Sequence, residues 1–315
     1  MGTSTVLNLN RRAFLISTAA TIAAGCATTG PDHEIGIVDT HTHFYDPSRP
    51  QGVPWPPKND PVLYRTVLPS ELKSIAKPLG VVGTVVVEAS PRVEDNAWIL
   101  DLARSEPFIL GLVGHLKPGQ PNFARDLDRF AANRQFRGIR TGGWDIPLAP
   151  EKSDYVRDLR LLTERGLSLD VLGGPDDLPK IAQLAAAIPD LRIIINHCAG
   201  VHIDGKAPDE KWVAGIRQAA VHPRVLMKLS GLPEATGKEF SAPRDVEFYR
   251  PTIDLLWKEF GEDRLIFGSN WPVSARFVDY PTALAIVQAY FREKSPAARR
   301  KYFRTNAVKV YGVAA

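Results

Sequence analysis

The sequence predicts a single-domain (β/α)8 TIM barrel, because eight short apolar segments alternate with helix-period segments over about 280 residues. A further observation is that the chemically capable side chains gather at or near the C-terminal ends of those apolar segments. The expected strands are 35–39, 82–88, 108–114, 137–141, 167–172, 192–197, 224–230 and 264–269. Several are continuous β-branched runs, such as Val85-Val86-Val87 and Ile193-Ile194-Ile195, which suit parallel strands buried on both faces. A doubly wound open sheet is the alternative, but no glycine-rich phosphate loop follows the first strand.

The helices between them have recognisable ends. One opens at Pro69-Ser70-Glu71 and stops at Gly80; another runs from Asp126 to Asn133 with Leu127, Phe130 and Ala131 on one face. Asp154 to Arg165 ends at Gly166, and Asp176 to Ile188 stops before Pro189. The stretch from Asp46 to Pro69 carries seven prolines and Trp55, so it forms neither a helix nor an inner strand. Following the first strand, it is expected to cover the C-terminal mouth of a barrel as a flap.

With 44% apolar and 23% charged residues the chain has ample material for a core, and its +4 formal charge is dispersed. No basic stripe calls for nucleic acid and no polybasic patch for a membrane surface, so a small-molecule partner is expected. Oligomeric state is not legible in the sequence. The N-terminus reads as a targeting segment: Arg11 and Arg12, then a short apolar stretch ending in Ala23-Ala24-Gly25-Cys26, with no acid. Residues 1–26 are expected to be an export signal with a lipoprotein-type box at Cys26, and 27–34 a short linker to a barrel spanning 35–315. Export to the periplasm or cell envelope follows, with a lipid anchor at Cys26 as the one membrane contact. Cys198 is then the remaining thiol; beside His197 on a strand it points to the opposite face, so it is read as packing.

Residues 38–47 read VDTHTHFYDP, and His41 and His43 stand two apart in a chain with seven histidines. In an extended backbone they share a face, so both imidazoles converge near the strand end, suiting a shared metal ion or a shared substrate oxygen. Glu88, His115, Arg140 and His197 fall at the ends of strands 2, 3, 4 and 6. Asp170 and Lys228 lie within strands 5 and 7, and Asn270 follows strand 8. Buried groups of these types are rare without partners.

The segments VDTHTHFYDP, FRGIR, INHCAG, VLMKLSGL and RLIFGSNWPV resemble the amidohydrolase superfamily, most closely its amidohydrolase-related, lactonase-like TIM-barrel branch, over about residues 35–312. The resemblance implies hydrolysis of small lactones or related esters, with metal-dependent decarboxylases as more distant relatives. His41 and His43 match the paired histidines of strand 1, His197 the strand 6 histidine, Arg140 the arginine of G-I-R and Lys228 the lysine of K-L-S-G-L. Asn270 stands where an aspartate is usual, and an amide is no carboxylate base, although its oxygen still accepts hydrogen bonds.

These readings give a set of expectations. Catalysis is assigned to His197, Asn270 and Glu88. One divalent ion, zinc or similar, would sit on His41, His43 and His197, lowering the pKa of water. The alternative needs no metal, the histidines polarising a lactone carbonyl by hydrogen bonds. Arg140, Lys228, His115, Trp55 and Trp271 are expected to contact substrate, the two cations calling for a carboxylate on it. A decarboxylase and a non-catalytic binding barrel are the competing functions.

Overall fold

A computed structural model describes residues 1–2, 35–150 and 153–315. The expected export signal, with Arg11, Arg12 and Cys26, and the linker 27–34 lie outside the described residues.

Eight parallel strands follow one another around a single sheet: β1 (Ile37–Thr42), β2 (Val81–Val87), β3 (Ile109–Gly114), β4 (Phe136–Gly142), β5 (Ser168–Leu172), β6 (Arg192–Ile195), β7 (Val225–Leu229) and β8 (Leu265–Phe267). β1 returns to the β8 end: Thr42 bridges Trp271, His43 N–H donates to the Trp271 carbonyl at 2.9 Å, and Thr40 Oγ1 donates to Phe267 O. The barrel is thus nearly closed. Around it lie α1 (Pro69–Ala76), α2 (Asp95–Ser105), α3 (Phe123–Ala131), α4 (Asp154–Glu164), α5 (Leu178–Ala187), α6 (Glu210–Ala220), α7 (Val246–Phe260) and α8 (Tyr280–Arg292). Two short helices, α9 (Pro296–Arg300) and α10 (Asn306–Tyr311), complete the chain.

The period-2 alternation of side chains splits each strand between two cores. Val86, Ile193 and Ile195 pack outward against the helices, whereas Val85, Val87 and Ile194 join Leu226 and Ile266 in the lumen. Val310 and Tyr311 of α10, with Val313, belong to the lumen cluster. Apolar faces on both sides explain why the strands read as continuous hydrophobic runs.

The strand boundaries agree with the sequence reading to within a few residues, with one informative difference at β1. It continues to Thr42, so His41 lies inside the strand instead of beyond it. The proline-rich stretch covers the mouth as expected: Tyr45 bridges Val67, Tyr45 Oη donates to Leu63 O at 2.9 Å, and the Trp55 ring meets Tyr45 edge-on.

Candidate active site

A cavity of about 320 Å³ opens at the C-terminal end of the strands, lined chiefly by His43, Trp55, Glu88, Arg140, His197 and Asn270. Each comes from the end of a different strand or from the flap after β1. The parallel architecture therefore brings together residues as distant as His43 and Asn270.

His43 follows β1 and is buried. Its Nδ1 donates to the Val87 carbonyl at 3.0 Å, and burial, reinforced by Arg140, lowers its pKa from 6.5 to about 3. The ring is therefore neutral at pH 7, with a lone pair on Nε2. Asn270 stands opposite, its Oδ1 3.3 Å from Nε2 and its Nδ2 donating to Glu234 Oε1 at 2.9 Å. Turning the amide over satisfies both neighbours better: Nδ2–H then meets the His43 lone pair, and Oδ1 meets a protonated Glu234. Burial raises the pKa of Glu234 to about 7, consistent with that arrangement. Sequence reasoning missed Glu234, which sits in the loop after β7 within no recognisable motif.

His197 follows β6 at φ +50°, the start of a left-handed run through Cys198, Ala199 and Gly200; Asn270 has φ +58°. Left-handed backbone is costly for such residues and clusters at functional sites. His197 Nδ1 lies 2.9 Å from Ser230 Oγ, which also accepts from His197 N–H. A Cβ at Gly231 would press on the His197 ring at about 3.0 Å, so the glycine of K-L-S-G-L keeps room for the imidazole. Burial, then Arg140, holds the His197 pKa well below 6.5. Cys198 packs as expected: buried, its thiol faces the Lys228 and Ser230 carbonyls, and burial pushes its pKa up to about 12.

Several expected site residues stand elsewhere. His41 is sealed beneath the cavity, its ring centroid 5.0 Å from that of His43 and 4.3 Å from that of His197. Lys228 does not line the cavity. Fully buried, its ammonium meets three acceptors: Asp170 Oδ2 at 2.7 Å, Thr40 O at 2.9 Å and His41 Nδ1 at 3.4 Å. Tyr311 Oη and Asn196 Nδ2 also donate to Asp170. Trp271 is a correction too: 3% exposed, it packs against Phe44 and helps close the barrel through its backbone. Trp55 lines the cavity, with its ring 5.8 Å from that of His43. Arg140 donates from Nε to Glu88 Oε1 at 2.8 Å and from Nη2 to Glu88 O at 2.7 Å. His115 lines a neighbouring cavity that Glu88 and Arg140 also line.

The three converging histidines do not fit the expected cation. An ammonium at His41 Nδ1 uses that lone pair and leaves the proton on Nε2, a buried atom with no partner among the described residues. Histidine ligands ordinarily donate from their far nitrogen to a carbonyl or carboxylate; His41 instead has a cation there. Arg140 and Lys228 both depress the imidazoles, and among the described residues no carboxylate bonds to any of the three rings. No cluster of three or more metal-ligating side chains forms among the described residues. Neutral imidazoles that act through hydrogen bonds suit the arrangement better.

Residues 38–313 match the amidohydrolase family. The L-fucono-1,5-lactonase of Burkholderia ambifaria is 32% identical over 286 residues, covering 88% of this chain and 95% of that one. The L-fucono-1,5-lactonase of Burkholderia multivorans is 26% identical, covering 84% and 91%. A crystal structure of an amidohydrolase from Burkholderia multivorans superposes with a TM-score of 0.79 at 24% identity, covering 89% of this chain and 100% of that one. A second crystal form described with bound zinc gives 0.76; at such identity the likeness shows the fold. Metal dependence is typical of the superfamily. The match over most of its length, with this barrel and its strand-end histidines, places the chain in the amidohydrolase family of hydrolases.

Proposed function

We propose that the protein hydrolyses a small sugar-type lactone by direct attack of water, with Glu88 as general base. One observation carries this reading: Glu88 is the sole carboxylate lining the cavity of His43, His197 and Asn270 among the described residues, and Arg140 orients it. The lactonase names of the two Burkholderia relatives supply the substrate class. Arg140 and Lys228 are already paired with Glu88 and Asp170, so the site does not require a carboxylate on the substrate.

In this mechanism the lactone carbonyl sits in the cavity and accepts from the N–H of His197, whose ring rests against that of the buried His41. Arg140 beside the cavity, and the Lys228 ammonium below it, favour the negative charge that develops on the oxygen. Glu88 takes a proton from the attacking water, whose oxygen bonds to the carbonyl carbon. Collapse breaks the ring C–O bond, and the alkoxide leaves with the proton returned by Glu88, giving a hydroxy acid. The neutral His197 imidazole donates its hydrogen bond without charging, which suits a pKa held well below 6.5.

Acid release from a panel of 1,5- and 1,4-lactones tests the reading. Glu88→Gln keeps the shape and an acceptor for Arg140, so kcat should fall about 10²–10⁴-fold with KM little changed. Full activity in that variant, or carbon dioxide release in place of lactone opening, would overturn the assignment. We also propose export through the segment holding Arg11, Arg12 and Cys26; precursor exported normally with Lys at both arginines would refute a twin-arginine route.

A further inference from the structure

Beside the catalytic cavity lies a second one of about 460 Å³, and the two share Glu88, Arg140 and Leu172 in their walls. Its other lining side chains include His115, Lys117, Trp144 and Asp145. Trp144 is conspicuous because its side chain remains 65% exposed, whereas Trp55, in the wall of the catalytic cavity, is partly buried.

The indole is held in place. A Cβ on Gly142 would fall 2.1 Å from Trp144 Cε2 and 2.5 Å from Cζ2, so the ring lies directly over the bare glycine at the end of β4. The turn carrying it, Gly143–Asp145, is fixed from below. Lys180 Nζ donates to Gly143 O at 2.8 Å while pairing with Asp177 at 2.8 Å, and a Cβ on Gly143 would meet Asp177 at 2.5 Å. One side of the indole is thus covered by backbone on an anchored turn, while much of the ring stays open beside a cavity contiguous with the catalytic one.

A fixed aromatic surface with polar groups around it matches one kind of ligand. A pyranose ring offers an apolar C–H face to stack on indole and hydroxyls around its edge; His115, Lys117 and Asp145 offer donors and acceptors to such hydroxyls. An aryl substituent would use the indole but none of that rim. We propose that the Trp144 cavity is a subsite for a glycosyl ring attached to the lactone, so that the substrate class is the lactone of a disaccharide or longer sugar acid. This rests on the lactonase reading and extends it by naming what the adjoining cavity holds. The Glu88–Arg140 pair then lies between the two rings, one on the catalytic side and one on the indole.

The test compares D-glucono-1,5-lactone with glycosyl-extended 1,5-lactones of differing linkage, and with an aryl-substituted lactone, using purified full-length protein. At least one extended lactone should be hydrolysed with a kcat/KM about tenfold above that of the monosaccharide lactone. Trp144→Ala should remove that advantage through KM, an order of magnitude typical of one aromatic stacking contact. Hydrolysis of the monosaccharide lactone should change less than about twofold. Gly142→Ala provides a second variant: its φ of −78° suits alanine, yet the added methyl displaces the indole, so it should cause the same selective loss. Equal losses on both lactones, no preference, or a Trp144-dependent preference for the aryl lactone alone would overturn the subsite while leaving lactone hydrolysis intact. Binding of the ring-opened disaccharide acids, followed by saturation-transfer NMR, separates the two ideas. Glycosyl protons should contact the wild type and lose that contact in Trp144→Ala. Such binding without turnover of any lactone would sink the hydrolytic reading and keep the subsite; its absence would sink the subsite.

Discussion

At Asn270 an amide stands between an imidazole lone pair and a carboxyl group whose pKa burial raises to about 7, and this sets the chemistry of the corner. The amide matches both neighbours without bringing in charge. Asn270→Asp would put a second carboxylate against Glu234, so the two would share one proton and titrate as a pair. It would also give His43 an anionic partner and the cavity an anionic metal ligand. The variant should therefore retain zinc through dialysis while the wild type does not, and chelators should leave wild-type lactone hydrolysis unchanged. Metal analysis and activity after chelation check this. A wild type that purifies with one tightly held metal, and loses activity when stripped of it, would show that the histidine trio does hold a cation. Asn270, His43, His197, Glu88 and Arg140 were legible in the sequence because each adjoins a strand end, where a barrel gathers functional groups. Glu234 and Trp144 were not, since each lies in a connecting loop and gains its meaning from contacts with other elements.

Among the elements, β7 delivers the side chain whose role changed most between sequence and structure. Lysine in a buried strand called for an anion, and the anion is Asp170 on β5 instead of a substrate group. Strand periodicity gave the inward direction of Lys228, but not its pairing, because that contact joins residues 58 apart. The same limit applies to His41: the H-x-H spacing put both rings on one face, while the extra length of β1 drew the first below the cavity floor. Trp271 was misread because a tryptophan beside a functional asparagine looks accessible, whereas its ring packs on Phe44. Lys228 and its partners tie β1, β5, β7 and α10 together in the lumen. Lys228→Met should destabilise the protein by about 3–5 kcal/mol, since it strands the buried Asp170 carboxylate. Adding Asp170→Asn should recover part of that loss, because the remaining partners Tyr311 and Asn196 then face a neutral group. Urea unfolding of the wild type, both single variants and the double variant measures this coupling. Additive losses would mean the pair contributes no more than its separate contacts.

For the molecule as a whole, this site makes acid sensitivity a consequence of the fold. His41 and His43 are buried and His197 half-buried, with pKa values depressed from 6.5 in each case first by burial, and half-buried His115 is lowered as well. The unfolded chain takes up these protons as pH falls through 6.5, whereas the native protein does not; for His43 protonation waits until about pH 3. Below 6.5 the unfolded state therefore binds more protons at these sites, and stability falls with pH. Glu234 acts in the opposite sense between 4.5 and about 7, where the native state holds a proton that the unfolded state has released. Burial raises the pKa of Asp39 too, so above its ordinary value of 3.8 it opposes the loss in the same way. The four imidazoles outnumber the two carboxyl groups, so about one to two protons of difference remain, or roughly 1.4–2.7 kcal/mol of stability per pH unit below 6.5. Urea midpoints measured from pH 8 to 4.5 should stay level or rise slightly down to about 6.5, then drop steeply. In His43→Gln the drop should be shallower by about one proton's worth, or ~1.4 kcal/mol per unit. A level profile down to pH 5 would mean that the native imidazoles accept protons as readily as the unfolded ones. The hydrogen-bond donor assigned to the carbonyl would then become an imidazolium ion below pH 6.5, and the mechanism there would have to be rebuilt on a charged donor.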